Sequence, residues 1–286
     1  VPSSDEDGAG VAFEYCRWLQ DTRAACRGTL RVYLSTFIRL ARYLHPEAGR
    51  CVEQLRVIGS GRLGPAVSDV SKKWLPYERF VQCVEQLRQE CRVLLQSGRR
   101  RKGRAVLQSW QRYLIAAILA AIPDRQRTLR ELTLGRTLVK SDGVWSIVHA
   151  ASDYKTGKFY GDRPALTLPA RLSEDIDCYL QEWRPKVRCD HLFVCTKGRP
   201  LRAACVHQTL ATAVFRMTGQ LLNPHLVRHM VVTHVRTTDG VTEAQLEGVA
   251  FLMGHSLDTQ RKHYTKLTPA ERVGPGIALM HSIAAQ

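Results

Sequence analysis

Near the end of the chain, the stretch GHSLDTQRKHY sets His255 directly after a glycine and Tyr264 nine residues further on, beyond Arg261, Lys262 and His263. A tyrosine hydroxyl with an unperturbed pKa of about 10 is a weak nucleophile until a base takes its proton or nearby cations favour the phenolate. The stretch therefore holds either a buried ring beside a histidine or a nucleophile displayed to something that cations attract. Upstream, PHLVRHM puts His225 and Arg228 three apart, on one face of a helix, where both side chains can converge on one group of ligand atoms. Such a pair recurs by chance in many helices. Its weight comes from the order of what surrounds it: Arg125 in an earlier helical region, Lys155 in a loop, then this helix, then MGHS, then Tyr264.

The overall charge says what these cations suit. Lys and Arg number 42 against 26 Asp and Glu, a net charge of +16 with a pI near 9.8. That excess points to a polyanion, with nucleic acid first. At 286 residues and 44% hydrophobic content, the chain can build one large or two ordinary domains. The longest apolar run, LIAAILAAI at 114–122, stops at Pro123, short of the roughly 18 to 20 residues of a spanning helix, so no membrane segment is expected. The nine cysteines are odd in number and include no CxxC, and the first residues lack a signal peptide's apolar core. They read as reduced thiols inside a cell. Cys189, His191 and Cys195 in RCDHLFVC come nearest to metal-ligand spacing, but HLFVC reads as a strand and no second ligand pair exists. No metal and no cofactor is expected.

The elements that must position these residues follow from periodicity. Residues 1–10 read as a disordered lead-in, and 11–97 as a helical domain, with amphipathic spacing at 30–44 and 77–95 and a glycine-rich loop at 57–69. SGRRRKGR makes 98–104 a basic linker. The remainder, 105–286, forms a second domain with a tail at 267–286. Pro123 ends a mostly apolar helix at 105–122, and Asp124 is the expected N-cap of another at 125–132. Asp142-Gly143 between two β-rich runs predicts a hairpin, and ALTLP adds a third strand. Helices return at 172–183, 203–217, 224–235 and 242–253. Asn223-Pro224 and the Thr242/Gln245 capping box mark the last two starts. The fold class is mainly α with a small antiparallel β-sheet.

In this order, HLVRHMVVTH resembles the HxxRH box of the tyrosine recombinase (phage integrase) family, and LMGHSLDTQRKHYTK resembles its LGH box and tyrosine segment. The likeness covers roughly 105–266, the family's catalytic domain, and 11–97 is similar to its core-binding domain. Residue by residue, it implies that Arg228 is the second catalytic arginine, His225 the histidine of that box, His255 the LGH histidine and Tyr264 the nucleophile. The family's TGxRxxE pattern aligns Arg125 in IPDRQRTLREL with the first arginine but puts Thr128 at the glutamate; Arg127, with Glu131 behind it, competes. The lysine hairpin, KGxKxRxVPL in the family, is similar to DYKTGKFYGDRPALTLP, which aligns Lys155 with the catalytic lysine and leaves Lys158 as the rival.

The implied activity is site-specific recombination or integration, with strands cut and rejoined through a 3′-phosphotyrosyl link that needs neither metal nor ATP. Two arginines would clamp the phosphate oxygens, His225 would act as base, Lys155 as acid on the 5′ oxygen, and His255 as a hydrogen-bond donor to the phosphate. Type IB topoisomerases use the same chemistry but usually lack the histidine at the position of His225. A recombinase-derived DNA-binding protein that no longer cuts is the other alternative. IALMHSIA at 277–284, beyond Gly274-Pro275-Gly276, suits a tail that docks on a neighbour in a homotetramer on DNA. The wording of the lysine loop looks more like recombinases of eukaryotic mobile elements, which implies a nuclear location; a prokaryotic host implies the cytoplasm or nucleoid.

Overall fold

The computed structural model describes residues 5–47, 49–60, 73–185, 187–261 and 277. By packing, the chain divides into two compact units, residues 1–71 and 72–286.

The first unit holds α1 (Asp5–Arg23), α2 (Arg27–Leu44) and α3 (Gly49–Ser60). The three- and four-residue spacing at 30–44 becomes the buried stripe of α2. Leu30 and Leu34 meet Ala12, Cys16 and Leu19 of α1 and Cys51 and Leu55 of α3. Tyr15 sits edge-on to Tyr33 and Phe37, with ring centroids 5.5 and 5.9 Å away. The glycine-rich loop expected at 57–69 starts later than its composition suggests, because α3 runs to Ser60; 61–72 lie outside the described residues.

The second unit begins with α4 (Tyr77–Gln89) and α5 (Gly103–Ala121), followed by α6 (Gln126–Arg130), β1 (Leu138–Ser141) and β2 (Val144–Ile147). Then come α7 (Gly157–Tyr160), β3 (Leu166–Thr167), α8 (Ala170–Cys178), α9 (Ala203–Thr218), α10 (Pro224–Thr237), α11 (Glu243–Leu252) and α12 (Leu257–Thr259). α8 runs on through a wide turn at Tyr179–Trp183. The core forms around α5, whose side chains from Val106 to Leu119 are buried on nearly every side. A helix this apolar has to be largely interior, and α4, α8, α9 and α10 pack against it.

The sheet is antiparallel in the order β1-β2-β3. Its hairpin is the expected one: Asp142 at φ +51° and Gly143 at φ +81° take the left-handed conformations of a type I′ turn, pairing Ser141 with Val144 and Leu138 with Ile147. Residues 191–195, expected as a strand, make only isolated bridges, His191 with Thr133 and Val194 with Pro200. Leu192, Phe193 and Val194 are all fully buried, so this apolar run records burial on all sides rather than a pleated edge.

α4, assigned from periodicity to the N-terminal domain, packs into the second unit. Phe80, Cys83 and Leu87 join its core, and Arg88 donates from Nε and Nη2 to the buried Asp175 of α8 at 2.7 and 2.9 Å. Tyr113 of α5 donates to the same carboxylate at 2.5 Å. The basic stretch 98–104 likewise lies against this unit. It doubles back through Gly98 at φ +76°, and Arg101 donates to the carbonyls of Arg92 and Ala105 and to Ser109 Oγ. The compact division thus falls nearer the N-terminus than charge and glycine content alone indicate. Asp175→Ala removes the α8 acceptor shared by α4 and α5 and leaves the Tyr113 hydroxyl buried without it. We expect a loss of roughly 2 kcal/mol or more in the unfolding of the second unit, read from the shift of its urea midpoint.

Candidate active site

The chain leaves α5 at Ile122 and reaches Arg125 through Pro123 and Asp124. Arg125 is the N-cap of α6, one position later than the cap expected at Asp124. The difference has a physical cause. Asp124 is buried and its carboxylate is committed elsewhere: Oδ1 accepts the Arg125 backbone N–H at 2.7 Å and Oδ2 accepts Arg163 Nη1 at 2.7 Å. Thr128, at the family's glutamate position, donates its hydroxyl to the Arg125 carbonyl at 2.7 Å and brings no charge. Arg125 is half-buried, and among the described residues its Nη1 has no hydrogen-bond partner. Arg127 points to solvent and pairs with Glu131 at 2.9 Å.

α10 starts as its sequence predicts. The Asn223 side chain accepts from the Leu226 N–H at 3.0 Å, and Pro224 occupies the first helical position, where no N–H is needed. Three residues apart on this helix, His225 is exposed and Arg228 fully buried. Arg228 donates from Nη1 to the Pro123 carbonyl at 2.6 Å and from Nη2 to the Met253 carbonyl at 2.9 Å, and lies 3.7 Å from Asp124. Its guanidinium is held from two sides, a charge fixed in place rather than a mobile arm. His225 Nε2 lies 3.3 Å from Nε2 of His229, one helical turn on. Arg125, His225 and Arg228, with Gln126, His207 and Asn223, line one cavity of about 260 Å³.

The GHS turn closes the far side of Arg228. Gly254 sits at φ +68°, and a side chain there would also collide with Arg163, whose Nη2 would lie 2.3 Å from its Cβ. His255 is buried, and its Nδ1 lies 3.3 Å from the Ser256 carbonyl. A carbonyl only accepts, so Nδ1 carries the ring proton when the imidazole is neutral. Burial, then the nearby Arg228 and Arg125 charges, lower the His255 pKa to about 4. Gln260 is buried after this turn and Arg261 pairs with Glu243; Lys262, His263 and Tyr264 lie outside the described residues, as does the tail at 278–286.

Lys155 is carried by the β2–β3 connection, which forms a helical turn at Ala151–Asp153 and then α7 rather than a plain hairpin loop. Its side chain is exposed. The next residue, Thr156, donates its hydroxyl to the Gly254 carbonyl at 2.7 Å, tying this loop to the GHS turn. Lys158 lies on α7 with Nζ 4.9 Å from the Phe159 ring centroid. The structure thus joins the arginine box, α10 and the GHS turn directly, and Lys155 through its neighbour. Asp124, Arg163, His149 and His229 were not singled out as site residues from sequence. Arg163 carried a signal, as the arginine just ahead of the third strand in the lysine motif.

No family model matches the chain. Over 116 residues, 38% of its length, it is 30% identical to the tyrosine recombinase XerD of Chlamydia pneumoniae, and it spans 36% of that relative. Its fold is similar to the crystal structure of XerA recombinase, with a TM-score of 0.51 at 14% identity, covering 94% of this chain and 80% of that one. It is also similar to XerH site-specific recombinase in its post-cleavage complex with palindromic difH substrate, at 0.53, 17%, 94% and 76%. A lambda integrase dimer bound to a COC′ core site gives 0.50, 14%, 93% and 67%. The chain has the tyrosine recombinase fold, mainly α with a small antiparallel sheet. Together with the curated relative, this supports the tyrosine recombinase (phage integrase) family read from its boxes. Among the described residues, no helix is long and apolar enough to cross a membrane.

With His255 lowered from 6.5 to about 4, the unfolded chain takes up its proton first on acidification. This histidine's contribution to stability is therefore complete above pH 6.5 and lost as pH falls toward 4. His149, also lowered mainly by burial, acts in the same direction. Thermal unfolding followed against pH should show Tm declining across this window, with a shallower decline in His255→Asn; an unchanged slope would refute the assignment.

Proposed function

We propose that this chain cuts and rejoins DNA as a site-specific tyrosine recombinase, with Tyr264 as nucleophile. The observation that carries the reading is the cavity where Arg125 and Arg228, from stretches far apart in sequence, meet beside His225 in a recombinase fold. A phosphodiester entering it comes beside the Arg125 side chain and the fixed charge of Arg228. Both offset the negative charge that grows on the phosphate oxygens as phosphorus becomes five-coordinate.

In the first half-reaction, Tyr264 Oη attacks phosphorus and His225 takes the phenolic proton. The P–O5′ bond breaks, and Lys155 gives a proton to the departing 5′ oxygen. The products are a 3′-phosphotyrosyl ester and a free 5′ hydroxyl. Because the ester keeps the bond energy, rejoining runs by the same steps reversed, with a 5′ hydroxyl from another duplex, and neither ATP nor a metal enters. His255 sits neutral beside Arg228; an arriving phosphate favours its imidazolium, which can then donate to the phosphate from Nε2. The excess of 42 basic over 26 acidic residues suits a duplex partner. The helical region 11–97 is the part we assign to clasping it, and the C-terminal tail the part that links protomers in a tetramer.

The substrate for testing is the duplex that the chain enriches, by binding, from a randomised-core library, rebuilt with a nick that traps the covalent product. The wild-type chain should give an adduct that survives denaturant, and Tyr264→Phe none. Arg125→Ala should lower cleavage on the order of 10²- to 10³-fold, with Arg127→Ala near wild type; the reverse ranking would exchange the two arginines. Deleting 275–286 should abolish four-protomer complexes on DNA, seen by light scattering, while leaving duplex binding in place; intact tetramers would refute the tail's role.

A further inference from the structure

The lysine loop is held by an arginine that the proposed chemistry does not use. Arg163 is buried, with its backbone N–H on the His149 carbonyl at 2.9 Å and Nη1 on Asp124 at 2.7 Å. Its guanidinium lies 3.9 Å from the centroid of the Tyr154 ring, within cation–π range, and Tyr154 in turn donates its hydroxyl to the Gly161 carbonyl at 2.6 Å. Its other edge abuts Gly254. Among the described residues, Nε and Nη2 are buried without a hydrogen-bond partner. Burying these donors is costly, and the Asp124 carboxylate and the Tyr154 ring are the contacts that offset the cost.

Lys155 stands between two residues fixed by this assembly. Tyr154 before it lies under Arg163, and Thr156 after it is bonded to the carbonyl of Gly254, the glycine Arg163 abuts. Lys158 has no such bracket; it lies on α7 against an exposed phenylalanine ring. Thr128 leaves the arginine box without its usual acid, whereas Asp124 supplies a buried carboxylate directly before Arg125. We propose that Arg163 is a positioning residue for Lys155, with Asp124 as its buried anchor, so that one ion pair registers the proton-donating loop against both the arginine box and the GHS turn. The proposal rests on the reading of Lys155 as the proton donor. Arg163 touches no reacting atom in it; it sets the backbone from which the lysine reaches the 5′ oxygen.

The test compares two versions of the enriched duplex, one with the natural 5′ oxygen at the scissile phosphate and one with sulfur in its place. A thiolate leaves without a proton, so loss of the acid is hidden on the sulfur substrate. Lys155→Ala should cleave the oxygen substrate at least about 10²-fold more slowly than wild type and approach it on sulfur. Arg163→Met and Arg163→Lys should show the same selective rescue, with duplex affinity unchanged. Arg163→Lys keeps a cation opposite Asp124, so it remains decisive if Arg163→Met does not fold. Equal slowing of Arg163→Lys on both substrates, with Lys155→Ala rescued, overturns the positioning role alone. If Lys155→Ala is not rescued, or Lys158→Ala is rescued in its place, the proton-donor reading falls and the proposal falls with it.

Discussion

Taking the Asp124 carboxylate out of water costs several kcal/mol unless cations and donors replace its hydration, and this constraint draws the parts of the site together. Asp124 sits buried in the turn between α5 and α6. It accepts Arg163 from the sheet connection, lies close to Arg228 from α10, and holds the Arg125 backbone beside it. Each arginine then reaches onward, Arg228 to the Met253 carbonyl and Arg163 to the edge of Gly254. Four segments scattered through the sequence are brought into register around one negative charge.

The scaffold beneath them is of another kind. α5 keeps only a narrow polar edge, Arg104, Gln108 and Arg112, and the rest of it is buried by packing among α4, α8, α9 and α10. The cavity forms where that apolar platform ends, at the Ile122-Pro123 break. Proline both stops the helix and leaves its carbonyl to accept from Arg228. Apolar packing thus fixes where the turn lies, and the ion pairs fix what it holds.

Much of this was legible in the sequence because its signals were local. The Asn223-Pro224 start, the Thr242/Gln245 box and the Asp142-Gly143 hairpin each depend on neighbours a few residues apart, and each forms as expected. The pairing of Arg125 with α10 was legible only through motif order. Spacing alone could not say that Arg127 would turn to Glu131 while Arg125 faced the cavity. The packing of α4 was hidden because an amphipathic stripe shows that a face will be buried, not against what; the Arg88–Asp175 pair spans distant segments. Arg163 was read only as part of a motif, since a buried arginine and an exposed one look alike until the carboxylate opposite is known. Tyr264 lies outside the described residues, so its place in the site rests on sequence order.

α10 also contributes something that no side chain carries. Its first turn, at Pro224 and His225, opens onto the cavity, and the aligned peptide dipoles of a fourteen-residue helix put partial positive charge there. That charge belongs to the backbone. It does not titrate, needs no rotamer to be ordered and survives replacement of every cationic side chain around it. The chain trace itself thus adds to the positive potential that the arginines set up in the cavity.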